Sequence, residues 1–342
     1  MSISLAIKYR PTTWDDVSEQ SSTKLILQQQ LATNTFKHAY LFCGPAGCGK
    51  TTCARIFAND INKNMGNPIE LDAASNNGVD DVRDIIQQAK TKSLDSAYKI
   101  FIIDECHALS NSAWQAMLKI IEEPPAGSIF IFCTTDPQKI PKTIISRVQR
   151  YDFQRISQNG IVNRLNHVLS KEGLRVVSSQ DAIEYIAKLA DGGMRDAITM
   201  LDKCLSYSTD LTIENVLKAL DVVNYDLMFE LTGNIINGES KKVIATIENM
   251  YNSGKDLKQF VKSYIQFLTD VIKFGVGCDW QYLQVPKSEM YEIHMKNLTC
   301  DDEFFMCRDL LNMMIRLNSD IKYSATVKYD IEAALLVEVK NR

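Results

Sequence analysis

Gly44, Pro45, Ala46, Gly47, Cys48, Gly49, Lys50, Thr51 and Thr52 follow the spacing Gly-x-x-x-x-Gly-Lys-Thr, between the apolar run Ala39–Cys43 and a helical stretch. The chemistry this serves is the grip on a nucleoside triphosphate. Glycines let backbone N–H groups curl around phosphate oxygens, and the start of the next helix adds partial positive charge. Lys50 reaches the outer phosphates, and the Thr51 hydroxyl ligates Mg²⁺. A glycine turn ahead of a helix is the plainer reading, and a second motif weighs against it. Lys99–Ile103 is an apolar strand that ends in Asp104 and Glu105. Asp104 is assigned to the metal shell, and Glu105 to polarising water as the base, with strand alternation separating their side chains. An acidic pair ends many surface strands; beside a phosphate loop it becomes a metal ligand and a base. A third apolar run, Ser128–Cys133, ends in Thr134, Thr135 and Asp136. A hydroxyl there is suited to holding the hydrolytic water, although Asp136-Pro137 also favours a simple turn.

These residues need a scaffold. Tyr40–Cys43, Ile100–Ile103 and Ile129–Cys133 are nearly continuous apolar runs, the pattern of strands buried on both faces of a parallel sheet covered by helices. Ile69–Asp72 is a shorter candidate strand. Trp114, Met117, Leu118 and Ile121 recur at helical spacing before Pro124-Pro125 stops them. After about Gln154 strand signals vanish. Helices are expected over roughly 158–172, 179–190, 194–207, 212–220, 225–236, 240–252, 256–275, 302–319 and 325–338, with a break near Val222–Tyr225.

Composition sets limits. The 342 residues suggest two or three domains, and 45% apolar with 23% charged residues is ordinary for a globular protein. The net charge is −4, with 16 basic and 15 acidic residues up to Arg150 and 22 and 27 beyond it. Any DNA contact must therefore come from a local stripe or backbone amides. The amino terminus does not read as a signal peptide, and no apolar run spans a bilayer, so no membrane role is expected. Nine cysteines without a Cys-x-x-Cys pair predict reduced thiols in the cytoplasm. Cys43, Cys48 and Cys53 recur every five residues, but as strand end, loop and helix they are not expected to converge on a metal. Alkylation of Cys48 is expected to block nucleotide binding.

Further stretches carry a specific resemblance. They are Lys8-Tyr9-Arg10-Pro11 with Trp14, Val17 and Gln20, then His38–Phe42, Leu71–Ser75, and Leu118-Lys119 through Glu122-Glu123-Pro124-Pro125. Thr134–Lys139, Ser146-Arg147 and Gly193–Ala197 complete the set. In order from residue 6 to about 205, the chain resembles the ATPase subunits of sliding-clamp loaders, the gamma/tau subunits of bacterial DNA polymerase III. That resemblance implies an α/β P-loop AAA+ core, a parallel sheet with flanking helices, followed by an α-helical lid and an α-helical collar. Residues 1–154, 155–222 and 223–342 are assigned to them. It implies ATP with Mg²⁺ held by Thr51 and Asp104, and loading of a sliding clamp onto primer–template DNA during replication. Identical and related loader subunits, the clamp and DNA are the implied partners. Thr135 resembles the sensor of the γ-phosphate, Arg195 the lid arginine that reads the nucleotide of its own subunit, and Arg147 the arginine finger acting in a neighbouring site. Tyr9, Arg10, Pro11 and Val17 resemble the strip over the adenine. Asn76, Asn77, Arg83, Ser110 and Asn111, near two helix starts, are the candidate contacts to the DNA backbone. For Ser110 and Asn111, plain helix capping fits equally well.

The chain departs from the family pattern in places. Asn59–Pro68 has neither cysteine nor histidine where many members carry a four-cysteine zinc module, so no zinc site is expected. Val148 replaces the usual cysteine after Ser146-Arg147. No long tau-type extension is expected after Arg342, and together with the expected lack of zinc this suits a reduced or phage-encoded form. Two rival functions remain. Asp104-Glu105-Cys106-His107 resembles a DExH helicase motif, yet no Gly-Arg dipeptide occurs in the chain. A nucleotide-bound scaffold without turnover is the other, opposed by the intact Lys50, Thr51, Asp104, Glu105 and Arg147.

Overall fold

The computed structural model describes residues 3–93, 95–173, 180–220 and 225–340. The chain opens with α1 (Leu5–Lys8) and α2 (Ser21–Thr33), then alternates strand and helix. The order is β1 (Ala39–Cys43), α3 (Lys50–Ile61), β2 (Ile69–Asp72), α4 (Val79–Ala89), β3 (Lys99–Asp104), α5 (Asn111–Glu122), β4 (Ser128–Thr134), α6 (Lys142–Ile145) and β5 (Gln149–Asp152). Helices α7 (Gln158–Glu172), α8 (Gln180–Leu189), α9 (Met194–Tyr207), α10 (Ile213–Leu220), α11 (Tyr225–Ile236) and α12 (Ser240–Asn252) follow. The last are α13 (Leu257–Gly275), α14 (Glu289–Leu298), α15 (Asp301–Asp320) and α16 (Val327–Lys340).

The described residues form two compact units, 3–173 with 186–209, and 180–185 with 210–340. In the first, the five strands pair in the order β2-β3-β4-β1-β5, all parallel. Alternate residues enter opposite layers. Leu41, Phe101, Ile103, Phe130 and Phe132 pack with Val82, Ile85, Trp114 and Met117 of α4 and α5. Tyr40, Phe42, Ile100, Ile102 and Ile131 pack with Ala54, Phe57 and Ile61 of α3, and with Leu27 of α2. Burial on both faces explains the near-continuous apolar runs.

The second unit is helical. Phe229 of α11 meets Phe267 of α13 edge-on at 4.8 Å and stacks on Tyr291 of α14 at 5.5 Å. The fully buried Asp270 accepts hydrogen bonds from the backbone N–H groups of Gln284 and Val285.

Several elements escape the sequence pattern, among them α1, α2, α6, β5 and α14. β5 reads Gln-Arg-Tyr-Asp and buries only Tyr151, because it is an edge strand paired to β1 alone. α14 buries only Tyr291, Met295 and Leu298, while Met290 and Ile293 on the same helix are exposed, which blurs its periodicity. The helical break near Val222–Tyr225 falls largely on 221–224, outside the described residues. Among the described residues no helix is long and apolar enough to cross a membrane.

Candidate nucleotide site

The loop after β1 is shaped by close backbone approach. A Cβ on Gly44 would lie 2.5 Å from the Phe153 carbonyl oxygen, and Gly44 N–H donates to Thr134 O at 3.2 Å. Gly47 sits at φ +68°, where a side chain is strained, and a Cβ there would come within 3.0 Å of Gly193. Its carbonyl accepts from Met194 N–H at 3.0 Å, so the loop is bonded to the start of α9. Lys50 is buried, and its ammonium donates to the carbonyls of Gly44 and Pro45 at 2.8 and 2.7 Å. Among the described residues it has no ion pair. A buried cation held only by neutral carbonyls is short of negative charge, which suits a phosphate.

At the end of β3, Asp104 Oδ2 accepts from Thr51 Oγ1, in the first turn of α3, at 2.8 Å. One hydroxyl and one carboxylate make a hard oxygen pair of the kind Mg²⁺ takes beside phosphates. Glu105 lies beyond the strand, at φ +46° in the left-handed region, a position that costs a non-glycine residue about 1–3 kcal/mol. The separation of the two carboxylates therefore comes from this turn. Strand alternation, the expected cause, does not reach Glu105, since β3 ends at Asp104. Thr135 Oγ1 donates to Glu105 Oε2 at 3.1 Å. His107 Nδ1 stands 3.3 Å from the same oxygen and 3.2 Å from Thr134 Oγ1.

A cavity of about 600 Å³ opens over this floor, a size ordinary for a cofactor-sized ligand. Tyr9, Arg10, Pro11, Val17, Ala46, Gly47, Cys48, Gly49, Lys50, Thr51, Thr52, Asp104, Glu105 and Arg195 all line it. Gly44 and Pro45 stand behind, as the carbonyls under Lys50, and Thr135 reaches the wall through Glu105. Arg195 is exposed, one position from the cavity-lining Met194, while Ala197, Ile198, Leu201 and Cys204 form the buried face of α9.

Sequence reasoning overlooked Arg164 and Arg55. Arg164 of α7 also lines the cavity, donates to the Tyr9 carbonyl at 2.8 Å and lies 3.8 Å from Asp16. Tyr9 itself donates to Glu172 at 2.5 Å, which ties the amino-terminal strip to α7. Arg55 pairs with Glu70 through two hydrogen bonds of 2.7 and 2.6 Å. No local motif marks either arginine; each is an ordinary polar position on a helix.

The remaining candidates lie elsewhere. Arg147 is off the cavity wall and pairs with Glu122 at 2.7 Å. Ser110 caps α5, accepting from Ala113 N–H at 3.2 Å, while its own N–H donates to the Asn77 carbonyl at 3.1 Å. The starts of α4 and α5 are thereby brought together, with Asn76, Asn77, Arg83 and Asn111 exposed and Arg83 paired to Asp80. Cys43 belongs to one core layer, Cys48 and Cys53 to the other. The Cys48 thiol donates to Pro45 O, and burial pushes its pKa up. Burial with a raised pKa makes it a slow target for alkylation.

Comparison with known proteins gives a consistent picture. Residues 67–157 match a family model described as DNA polymerase III, delta subunit, and residues 160–210 match the DNA polymerase III clamp loader subunit, ATPase lid domain. The Bacillus subtilis DNA polymerase III subunit tau is 38% identical, over 78% of this chain and 51% of its own length. The Mycobacterium tuberculosis (strain H37Rv) gamma/tau subunit is 33% identical, over 78% and 50%. The chain thus spans about half the length of these relatives. Among solved structures, the Thermotoga maritima RuvB Holliday junction branch migration motor superposes with a TM-score of 0.54 at 18% identity, over 72% of this chain and 86% of that one, a likeness of fold alone. The parallel sheet with its phosphate loop thus carries the fold seen in that motor, and in sequence the chain is similar to the gamma/tau subunits of DNA polymerase III, with a match to the clamp loader subunit's ATPase lid domain.

Proposed function

We propose that the chain hydrolyses ATP to ADP and phosphate, and that it does so as a subunit of a complex that loads a DNA sliding clamp onto primer–template DNA. The single observation that carries this reading is the convergence on one cavity of Lys50, the Thr51–Asp104 pair and Glu105. In the proposed reaction, water oxygen bonds to the γ-phosphorus while the bond to the β,γ-bridging oxygen breaks. ADP leaves with that oxygen, and Glu105 takes the water proton. Lys50 neutralises the outer phosphates, and the loop N–H groups orient them. Thr51 and Asp104 would hold Mg²⁺, which would supply neutralisation of the phosphate charge. Thr135 orients Glu105, and Arg195 reads the phosphates from the lid.

Arg147 lies off its own cavity, in keeping with service in the site of a neighbouring subunit. Such an arginine contributes about 10³–10⁵ in rate in other NTPases. Residues 1–154, 155–222 and 223–342 serve as core, lid and collar in this reading. The joined starts of α4 and α5 offer Asn76, Asn77, Arg83, Ser110 and Asn111 to the DNA backbone. Other loader subunits, the clamp and DNA are the partners, in the cytoplasm.

Phosphate release by the assembled loader, with and without clamp plus primed DNA, tests the reading. Wild type should be stimulated by the two together, and Lys50→Ala should be silent because it no longer binds nucleotide. Turnover indifferent to clamp and DNA, or unchanged in Lys50→Ala, overturns it.

A further inference from the structure

His107 has no part in the function proposed so far, yet it touches the proposed base. It sits in the short turn Cys106–Ala108, which follows directly from Glu105. That turn is stiff. Ala108 N–H donates to the Glu105 carbonyl at 2.9 Å, and Cys106 is wholly buried in the core. Nδ1 lies 3.3 Å from Glu105 Oε2, and an ionised carboxylate only accepts, so the tautomer with hydrogen on Nδ1 is the one that serves this contact. Thr134 Oγ1 lies 3.2 Å from the same nitrogen and accepts from it in that tautomer, and Thr134 is completely buried. Asp136 N–H donates to that Oγ1 at 3.0 Å and holds it in place. On the other side Thr135 Oγ1 donates to Glu105 Oε2 at 3.1 Å. Both donors meet one oxygen, and among the described contacts none falls on Oε1.

We propose that His107 is a positioning residue for hydrolysis. Its Nδ1–H, together with the Thr135 hydroxyl, pins Glu105 by Oε2 and presents Oε1 to the attacking water. His107 does not touch the substrate; it acts through Glu105. The need for it follows from the site's construction. Glu105 hangs from a left-handed turn beyond the end of β3 and has three rotatable side-chain bonds, so backbone alone does not aim its carboxylate. A misplacement of about 1 Å in such a group can cost roughly 100-fold in rate. The competing reading is an exposed-edge ion pair of no consequence, since Glu105 is 36% and His107 21% exposed.

The inference rests on the hydrolytic reading above, and the test separates the two. The assembled loader, with clamp and primed DNA, is assayed for kcat and for ATP affinity in wild type, Glu105→Gln, His107→Ala, His107→Asn and His107→Gln. The asparagine amide nitrogen occupies the place of Nδ1 and can donate; the glutamine amide reaches the place of Nε2. His107→Ala should lose roughly 10- to 100-fold in kcat, with ATP affinity within about twofold. His107→Asn should recover most of that loss, and His107→Gln should not. If His107→Ala turns over like wild type while Glu105→Gln is inactive, the inference falls and the hydrolytic reading stands. It falls equally if His107→Asn is as impaired as His107→Ala, or if the loss lies in affinity alone. If Glu105→Gln is itself undiminished, the hydrolytic reading falls and takes the inference with it.

Discussion

Two adjoining walls of one cavity are built in opposite ways. The phosphate loop is a backbone device. Gly44 is packed against Phe153, Gly47 is held at positive φ against Gly193, and the Lys50 ammonium rests on two main-chain carbonyls. The acidic wall is a side-chain device. Asp104 comes from β3, Glu105 and His107 from the turn beyond it, and Thr134 and Thr135 from the end of β4. The first wall tolerates little change of residue type, because glycine alone fits. The second depends on aim, and aim can be degraded without disturbing the fold. Binding should therefore reside in the loop and turnover in the acidic wall.

The sharpest way to break that division is a pair of substitutions. Lys50→Ala should abolish ATP binding. Glu105→Gln should leave binding intact and reduce turnover by about 10²–10⁴, the range of general acid–base contributions. Equilibrium binding of a fluorescent ATP analogue beside steady-state phosphate release reads both. Comparable loss of affinity in the two variants would erase the distinction. A smaller effect sharpens it. Gly44→Ala forces a methyl group against the Phe153 carbonyl and should lower stability by about 1–3 kcal/mol in thermal unfolding. Thr135→Ala should leave the unfolding midpoint almost unmoved and lower kcat. The smallest effect concerns thiols. Cys278 and Cys300 are exposed, whereas Cys48 is buried with its pKa raised. At neutral pH, alkylation should modify the first two well before Cys48, and raising the pH should narrow the gap as more thiolate forms. Mass spectrometry of labelled peptides follows the order.

The same contrast decides what could be read from the chain. The loop was legible because its glycines, Lys50 and Thr51 are contiguous and each is demanded by backbone geometry. The central strands were legible because burial on both faces leaves continuous apolar runs such as Ile100–Ile103. Asp104 and Glu105 were found as a pair, yet the left-handed turn that separates them has no sequence signature, since glutamate is not a residue expected at φ +46°. His107 was seen only as part of a helicase-like tetrapeptide. Its contact with Glu105 follows from the left-handed turn they share, and its contact with Thr134 from how β4 lies beside β3, a long-range pairing that no local pattern encodes. Arg164 escaped for the same reason, as it enters the cavity from a helix more than a hundred residues after the loop. β5 was missed because an edge strand with one buried residue looks like any polar segment.

The central claim is that a triphosphate held by one subunit is cleaved with the help of a guanidinium from the next. Mixing tests it most directly. Glu105→Gln and Arg147→Ala subunits are assembled separately and together, and phosphate release is measured with clamp and primed DNA. Each variant alone should be nearly silent, Arg147→Ala by about 10³–10⁵. The mixture should regain a measurable share of wild-type turnover, because an intact Glu105 in one subunit then meets an intact Arg147 from its neighbour. A mixture as silent as its components, or an Arg147→Ala assembly that turns over normally, would contradict the account.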